Sequence, residues 1–155
     1  MPDADIANLT VRPAVTADLP RLAELFNAYR AFYGQETETE RAAPFLKARI
    51  GRGDSRLLVA TDDDAIVGFA QLYPTWSSIS MTPAWVLNDL YVVEEHRNGG
   101  VAAALLAEAD VIAKETGASR IELATARDNR AAQALYEKHG YHRDEVFVHY
   151  ARGVE

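Results

Sequence analysis

The stretch Val92-Val93-Glu94-Glu95-His96-Arg97-Asn98-Gly99-Gly100-Val101-Ala102 decides how this chain is interpreted. It connects a nearly continuous apolar run, Trp85–Val93, to a strongly periodic segment that begins at Val101. The apolar run is typical of a strand in the middle of a sheet, and the periodic segment is typical of a helix. The start of a helix exposes unpaired backbone N–H groups and carries partial positive charge, so this connection suits a phosphate.

The residue types in this connection favour the same interpretation. Gly99 and Gly100 keep side chains away from an approaching ligand, and Arg97 adds a cation whose fork geometry matches phosphate. A Walker loop does not fit, because Gly100 is not followed by Lys and Ser or Thr. A Rossmann fingerprint would follow the first strand of a doubly wound half, whereas this stretch comes late in the chain. The remaining alternative is an ordinary Gly-Gly turn beside a solvated arginine.

Periodicity and turn residues extend this interpretation over the rest of the chain. Asp18 and Pro20 are expected to begin the first helix. The order of elements predicts an α+β domain, residues 1–155, built on one mixed sheet of about 6–7 strands with about four helices. The predicted strands are Leu9–Pro13, Arg56–Ala60, Ala65–Tyr73, Trp85–Val93, Ile121–Thr125 and Val146–Tyr150; the predicted helices run from Asp18 to Gly34, through Phe45–Ile50, from Val101 to Gly117, and from Asp128 or Asn129 to Gly140.

Composition excludes several classes of protein. Apolar residues make up 48% of the 155 residues, there is no cysteine, and the formal net charge is −7. Disulfides and thiolate chemistry are therefore absent, and the acidic balance argues against nucleic-acid binding. We see no signal-peptide pattern and no membrane-length apolar run, and expect a cytoplasmic protein with no membrane contact. We predict no metal site, because no metal-ligand spacing joins the four histidines, His96, His139, His142 and His149.

Two segments together resemble the GNAT acetyltransferases. Arg97–Ala102 matches their acetyl-CoA motif, Arg/Gln-x-x-Gly-x-Gly/Ala. Asn129–Tyr141 is similar to the second signature, Asn-x-x-Ala-x-x-x-Tyr-x-x-x-Gly-Phe, with Tyr141 in place of the usual Phe. The separation of the motifs and the order of strands and helices also match, so the resemblance covers essentially the whole chain.

The resemblance implies an acetyl-CoA site in a cleft between two splayed parallel strands, Val86–Val93 and Arg120–Thr125. Backbone groups of Leu90, Tyr91 and Val92 would hold the acetyl and pantetheine arm. The remaining positions implied in cofactor binding are Arg97, Asn98, Gly99, Gly100, Val101, Ala102, Ala103, Asn129, Arg130, Ala132 and Tyr136.

Tyr136 is the candidate general acid. In many relatives the matching tyrosine protonates the departing CoA thiolate. A phenol of pKa about 10 can protonate a thiolate whose conjugate acid has a pKa of about 8.5 as the carbon–sulfur bond breaks. The alternative role is that of a core tyrosine on the apolar face of its helix.

The residue that acts as the general base is less clearly indicated by the sequence. The segment Leu87–Val92 is similar to the Leu-Glu-Asp-Phe-Phe/Tyr-Val segment of diamine acetyltransferases, where the glutamate is implicated in proton removal. This chain has Asn88 at that position, and an amide is not a general base. Asp89 is the nearest carboxylate, and its alternative role is a structural acid near a strand irregularity.

The acceptor pocket is expected to combine aromatic rings with a carboxylate, which can hold an ammonium group. Ordinary packing is the alternative for each of these side chains. The candidates are Tyr33, Glu36, Tyr73, Trp76, Trp85 and Asn88.

The sequence therefore predicts an acetyl-CoA-dependent N-acetyltransferase acting on a small cationic amine. An acidic surface favours such a partner, although it also simply promotes solubility. Two alternatives are an acyl-CoA-binding sensor or docking module of the same fold, and an unrelated nucleotide-binding protein. The strand predicted at Val146–Tyr150 could pair with a second subunit, so we expect a homodimer.

Overall fold

The computed structural model describes residues 6–154 of the chain. The chain divides into two compact units, Met1–Ala124 and Thr125–Glu155. The single domain expected over residues 1–155 stays a prediction. The first unit contains β1 (Leu9–Pro13), a 3-10 turn (Thr16–Asp18), α1 (Leu19–Phe32), α2 (Thr39–Arg52), β2 (Arg56–Asp62), β3 (Ala65–Ser77), β4 (Thr82–Val92), a second 3-10 turn (Glu94–His96), α3 (Val101–Glu115) and β5 (Ile121–Leu123); the second contains α4 (Arg130–Lys138).

The five strands form one mixed sheet in the order β1-β2-β3-β4-β5. The pairs β1–β2, β2–β3 and β3–β4 are antiparallel, and β5 runs parallel to β4. The predicted α+β class with a mixed sheet and four helices is confirmed within residues 6–154. The strand count is five, slightly below the expected 6–7.

The predicted last strand, Val146–Tyr150, is corrected by the structure. These residues have no strand assignment and are exposed to solvent. The apolar and aromatic residues suggested a strand, but a strand is stable only when its backbone pairs with a neighbour and one face is buried. Two N–H groups at its start, those of Val146 and Phe147, instead donate to the Asp144 carboxylate at 2.9 Å each. That is the arrangement of a turn.

Helices cover both faces of the sheet in the first unit. α1 and α2 pack on one face, where Leu22, Leu25 and Leu46 form a buried cluster with Val59 and Phe69. α3 packs on the opposite face and contacts β1 to β4. Because side chains alternate along each strand, the odd-numbered residues of β3 from Phe69 onwards face α1 and α2. The even-numbered residues from Gly68 onwards face α3, where Val101 lies beside Gly68. An irregularity at Val67 reverses the alternation before it, so Ile66 also belongs to the cluster under α1 and α2.

A bulge in β4 changes which side chains face α1 and α2. The register pairs Gln71 with Asp89 but Leu72 with Leu87, so Asn88 is an extra residue without a partner on β3. Directly paired residues point to the same face of a sheet, and an inserted residue reverses the alternation beyond it. Leu87 therefore faces α3, and Asp89 faces α1 and α2 with Gln71. Without the bulge, Asp89 would lie on the α3 face.

Asp18 lies at the start of α1 as expected, but its carboxylate does not cap the helix. It accepts two hydrogen bonds from the Arg12 guanidinium, at 2.7 and 2.9 Å, and one from the Val15 N–H at 2.8 Å. The hydrogen bonds from Arg12 contribute most to lowering the pKa of the Asp18 carboxyl, and the bond from Val15 lowers it further. Burial acts in the opposite direction but does not cancel this effect. The interaction therefore joins β1 to the start of α1.

We expect Asp18→Ala to reduce the free energy of unfolding by about 1–3 kcal/mol, because it removes hydrogen bonds to a buried charge. A lowered pKa contributes stability above the ordinary carboxyl pKa and loses it as the pH falls through the folded value. The deficit, measured by urea unfolding, should therefore shrink in acid. Glu24→Ala is the matched control, since it removes an exposed ion pair with Arg21 and should change stability by less than about 1 kcal/mol. Equal deficits in the two variants would contradict this account.

Candidate active site

The connection between β4 and α3 has the backbone geometry that a phosphate loop requires. Asn98 has a φ of 64° and Gly100 a φ of 87°, both in the left-handed region. Gly100 is the residue before α3, and its carbonyl accepts the first helical bond, from Ala104, at 3.0 Å. This conformation turns the chain sharply between the second 3-10 turn and the start of α3. Only glycine adopts it without strain.

The loop presents a row of backbone donors. Within residues 6–154, the N–H groups of Asn98, Gly99 and Gly100 donate to no backbone carbonyl. The first N–H groups of α3 likewise have no partner within the helix. Six consecutive N–H groups, from Asn98 to Ala103, are thus available at the positive end of a 15-residue helix. These six residues are among the positions that the resemblance implies in cofactor binding.

Residues from two other parts of the chain contact the loop and support its conformation. Gly99 is buried, its carbonyl accepts from the Ile6 N–H at 3.2 Å, and a Cβ there would lie 3.0 Å from the Ile6 side chain. His96 Nε2 lies 3.1 Å from the Asp62 carboxylate at the end of β2. The loop is therefore supported by residues remote in sequence, which its own motif does not reveal.

Arg97 folds back on the end of β4. Its Nε donates to the Val92 carbonyl at 3.0 Å, and its guanidinium carbon lies 5.7 Å from the centre of the Tyr91 ring. This contact fixes the position of the guanidinium at the border between strand and loop. The phosphate contact of Arg97 stays a prediction, and the Val92 carbonyl is already engaged by its Nε.

The edge of β4 that would bind the acetyl arm is free of strand pairing. β5 pairs with Trp85, Val86 and Leu87 only, while β4 continues to Val92. Within residues 6–154, no further strand pairs with β4 on that side. Backbone groups of Leu90 and Tyr91 on this edge can therefore bond an extended ligand as a strand would. This arrangement matches the predicted cleft, although β5 is shorter than the predicted Arg120–Thr125.

Gly68 is a site residue that sequence reasoning missed. A Cβ at this position would lie 2.9 Å from the Tyr91 carbonyl oxygen and 3.0 Å from Val101 Cγ1. Gly68 thus permits the close approach of β3, the end of β4 and the first residue of α3. An isolated glycine within a strand pattern is the signal that could have indicated it.

We expect Gly68→Ala to raise the KM for acetyl-CoA and to lower the free energy of unfolding by about 1–3 kcal/mol. The new methyl group meets backbone on one side, so β4 or α3 must move. Steady-state kinetics and urea unfolding measure the two effects. Gly51→Ala is the control, because Gly51 lies in α2 with nothing near its Cβ position, and alanine favours a helix. An unchanged KM in Gly68→Ala would show that this close approach does not position the cofactor.

Asp89 is 7% exposed and lies beside polar groups of two elements. Gln71 Nε2 on β3 donates to its Oδ2 at 3.0 Å, and the Tyr29 hydroxyl of α1 is also hydrogen-bonded to the carboxylate. Burial raises the pKa of the Asp89 carboxyl, and the bonds from Gln71 and Tyr29 only partly offset it. A raised pKa makes a carboxylate a stronger base, so these surroundings suit proton transfer.

Rings of α1 connect the predicted acceptor residues to β4. The single proton of the Tyr29 hydroxyl is shared between the Asp89 carboxylate and the carbonyl of the bulged Asn88, whose oxygen lies 3.2 Å from the hydroxyl. The Tyr29 ring lies 5.2 Å from that of Tyr33 and 6.3 Å from that of Tyr91, between centroids. Tyr73 shares the face of Asp89, whose charge contributes, after burial, to raising the Tyr73 pKa. Tyr33, Tyr73, Asn88 and Asp89 are thereby brought to one side of the sheet.

The other predicted acceptor residues are placed differently. Trp85 is buried, and its Nε1–H donates to Thr116 Oγ1 at 2.9 Å at the end of α3. Alternation puts Trp76 on the same side as Trp85, and its ring is 72% exposed near the tip of the β3–β4 hairpin. The structure therefore does not bring these two tryptophans together with Asp89. Glu36 is exposed after α1, where its carbonyl accepts from Arg30 at 2.9 Å.

The second unit carries the other signature. Asn129 precedes α4, and its side-chain oxygen accepts from the Ala132 N–H at 3.2 Å, which settles the predicted choice of cap between Asp128 and Asn129. Tyr136 is half-buried in α4, and its ring meets that of Tyr141 edge-on, with centroids 5.9 Å apart. Arg130 begins α4 and is exposed. The cofactor and acid roles of these residues stay predictions.

Comparison with known proteins agrees with this geometry. Residues 20–141 match the acetyltransferase (GNAT) family, and the chain belongs to that family. It is 43% identical over 146 residues to the uncharacterized N-acetyltransferase YhfO of Bacillus subtilis (strain 168), covering 94% of this chain and 98% of that protein. The crystal structure of a probable acetyltransferase superposes with a TM-score of 0.89 at 40% identity, covering 94% of this chain and 98% of the other.

A more distant relative has a named acceptor. Aminoglycoside N(6')-acetyltransferase type 1 of Acinetobacter haemolyticus is 24% identical over 151 residues, which cover 95% of this chain and all of that protein. The protein is thus an acetyl-CoA-dependent acyltransferase, and the resemblance to diamine enzymes in particular is not confirmed. The free donors of Asn98–Ala103 and the open edge of β4 fit acetyl-CoA.

Two further findings concern the described part of the chain. None of its helices combines the length and apolar character needed to cross a bilayer. Residues 6–154 contain no group of three or more histidine or acidic side chains placed to hold a metal ion.

Proposed function

We propose that this enzyme transfers the acetyl group of acetyl-CoA directly to a small cationic amine. The observation that carries the proposal is the bulge at Asn88. It turns Asp89 towards Tyr29 and Tyr73, one residue before the strand segment whose free edge is proposed to bind the acetyl arm. A buried carboxylate beside tyrosine rings suits an ammonium group that must lose a proton.

In the proposed reaction Asp89 acts as the general base and Tyr136 as the general acid. Acetyl-CoA supplies the acetyl group as a reactive thioester. Asp89 collects the proton of the ammonium group, directly or through water, because an alkylammonium of pKa about 10.4 is almost entirely protonated at pH 7. The amine nitrogen bonds to the acetyl carbon and loses a second proton to water, the carbon–sulfur bond breaks, and Tyr136 protonates the sulfur. The nitrogen thus gives up two protons: one is returned through solvent to Tyr136 and the other is released, so the products are an acetamide, CoA thiol and one proton.

The acceptor class rests on charge and on one distant relative. The net charge of −7 favours cationic substrates. The aminoglycoside acetyltransferase supports a polycationic amine. The segment Leu87–Val92 does not add support for a diamine, because Asn88 replaces the glutamate of the diamine enzymes. We further propose a cytoplasmic location, on the grounds given by the sequence, and a homodimer by analogy with members of the family; the strand once expected at Val146–Tyr150 no longer supports the dimer.

The test is release of CoA thiol from acetyl-CoA in the presence of a panel of acceptors. The panel contains a diamine, an aminoglycoside, an amino acid, a peptide with a free N-terminus, and the alcohol analogue of the diamine. We expect turnover with the cationic amines and none with the alcohol. Tight CoA binding without turnover on any amine would favour the acyl-CoA sensor instead.

A further inference from the structure

Three polar side chains form a line of hydrogen bonds that ends at Asp89. Ser55 Oγ, in the turn before β2, donates to Gln71 Oε1 at 2.9 Å. Gln71 Nε2 then donates to Asp89 Oδ2 at 3.0 Å. Gln71 has no exposed surface and lies in the middle strand of the sheet. No motif in the sequence indicates either Ser55 or Gln71.

The two ends of the Gln71 amide are chemically distinct. Its NH2 end is a donor that suits the Asp89 carboxylate, whereas its oxygen would repel it. Because the ionised carboxylate can only accept, the NH2 end points to Asp89, and the oxygen is left to accept from Ser55. We infer that Gln71 is a positioning residue for Asp89 in acetyl transfer, with its amide oxygen held by Ser55. This inference rests on the proposed role of Asp89 as the base.

The geometry explains why Gln71 has this role rather than one of packing. The register pairs Gln71 directly with Asp89, and the bulge at Asn88 puts both side chains on the same face. A buried amide is costly unless both of its ends are hydrogen-bonded. Here one of those bonds is made to the carboxylate whose orientation decides proton transfer. A donor to the ionised form also favours that form, so Gln71 keeps Asp89 available as a base against the effect of burial.

Other groups face Asp89 from the elements packed around it. Tyr29 of α1 is hydrogen-bonded to the carboxylate, and Tyr73 lies two residues along β3. The Arg49–Asp54 ion pair, with 3.0 Å between its atoms, belongs to the end of α2 and the turn after it. The charge of Arg49 lowers the pKa of Tyr73, and that of Asp54 raises it. All of these groups stay unchanged in the variants below, so a change in the titration of Asp89 reports on Gln71 and Ser55.

The experiment measures Asp89 in the free protein before any turnover. Carbon-13 labelling of aspartate and NMR titration give the pKa of Asp89, with its signal assigned by its loss in Asp89→Asn. The variants are Gln71→Met, Gln71→Glu and Ser55→Ala. Thr61→Val is the matched control, because it removes a buried hydroxyl that bonds Thr10 at 2.6 Å, away from Asp89.

We expect Gln71→Met to raise the pKa of Asp89 and Ser55→Ala to raise it less, since the amide stays but can rotate. Gln71→Glu should raise it most, because two carboxylates at hydrogen-bond distance share one proton. Thr61→Val should leave it unchanged. With an amine substrate, kcat should fall on the order of tenfold to a hundredfold in Gln71→Met. The acid limb of the pH profile of kcat should shift to higher pH as the pKa of Asp89 rises. The KM for acetyl-CoA should stay constant.

Two results would overturn the inference. One is an Asp89 titration that is the same in the wild type, Gln71→Met and Gln71→Glu. The other is a titration that moves while the pH profile of turnover does not. The NMR result needs no substrate, so it is independent of whether the proposed function holds. That function fails separately, by absence of turnover in the wild-type enzyme.

Discussion

Asp89→Asn is expected to reduce kcat for amine acetylation by about 10²- to 10⁴-fold, the range that general acid–base catalysis contributes. The KM for acetyl-CoA should change little, because Asp89 faces α1 and α2 while the cofactor donors lie in the loop and on the edge of β4. The amide keeps the shape of the carboxylate and can still accept from Gln71. Loss of rate therefore reports on the base and not on the fold.

The pH dependence of activity provides a second test of this prediction. In the wild type, activity should rise with pH through the raised pKa of Asp89, above the ordinary carboxyl range. The deficit of Asp89→Asn should shrink at high pH, where more of the amine is already deprotonated. A constant deficit at every pH would show that Asp89 has no role in removing the proton.

The same carboxyl affects stability in a defined direction. Because folding raises its pKa, Asp89 stabilises the fold fully below its ordinary pKa, and this contribution is lost as the pH rises through the folded value. Asp89→Asn should therefore gain stability relative to the wild type at neutral and alkaline pH. Thermal unfolding across pH values measures this effect. A stable but inactive variant is the combination expected of a catalytic group.

Tyr136→Phe is the second change with a large expected effect, about 10²- to 10⁴-fold in kcat. The phenylalanine keeps the ring that packs against Tyr141 and removes only the hydroxyl that is proposed to protonate the CoA sulfur. Acetyl-CoA binding, measured by calorimetry, should be unchanged.

The chain offers a matched control for Tyr136→Phe. Tyr141→Phe also removes one hydroxyl from the same ring pair, and it introduces the residue usual in the second signature. We expect nearly full activity from it. Equal losses in the two variants would assign the effect to packing around α4, and full activity in Tyr136→Phe would remove Tyr136 as the acid.

Local signals in the sequence predicted the parts of the site that depend on local structure. The β4–α3 loop and the Asn129 cap follow from residue types within a few positions, because turn and cap conformations are set by neighbouring backbone. The helix α3 was likewise predicted from its own periodicity. These features need no information about distant parts of the chain.

Features that depend on strand register were not predictable in this way. One extra residue at Asn88 decides whether Asp89 faces α1 or α3, and it separates Trp85 from the acceptor candidates. The roles of Gln71 and Gly68 depend on contacts with other strands, which the sequence around them does not indicate. The apolar and aromatic residues of Val146–Tyr150 predicted a strand, but such residue types do not supply a partner strand.

The central claim is direct acetyl transfer from acetyl-CoA to an amine. It is tested most directly by incubating the enzyme with acetyl-CoA labelled in the acetyl group, with and without a cationic amine, and locating the label by mass spectrometry. We predict that the label appears in the acetamide of the amine, in proportion to the free CoA formed, and that the protein stays unlabelled when the amine is omitted. Label that accumulates on the protein, or only in free acetate, would contradict the account.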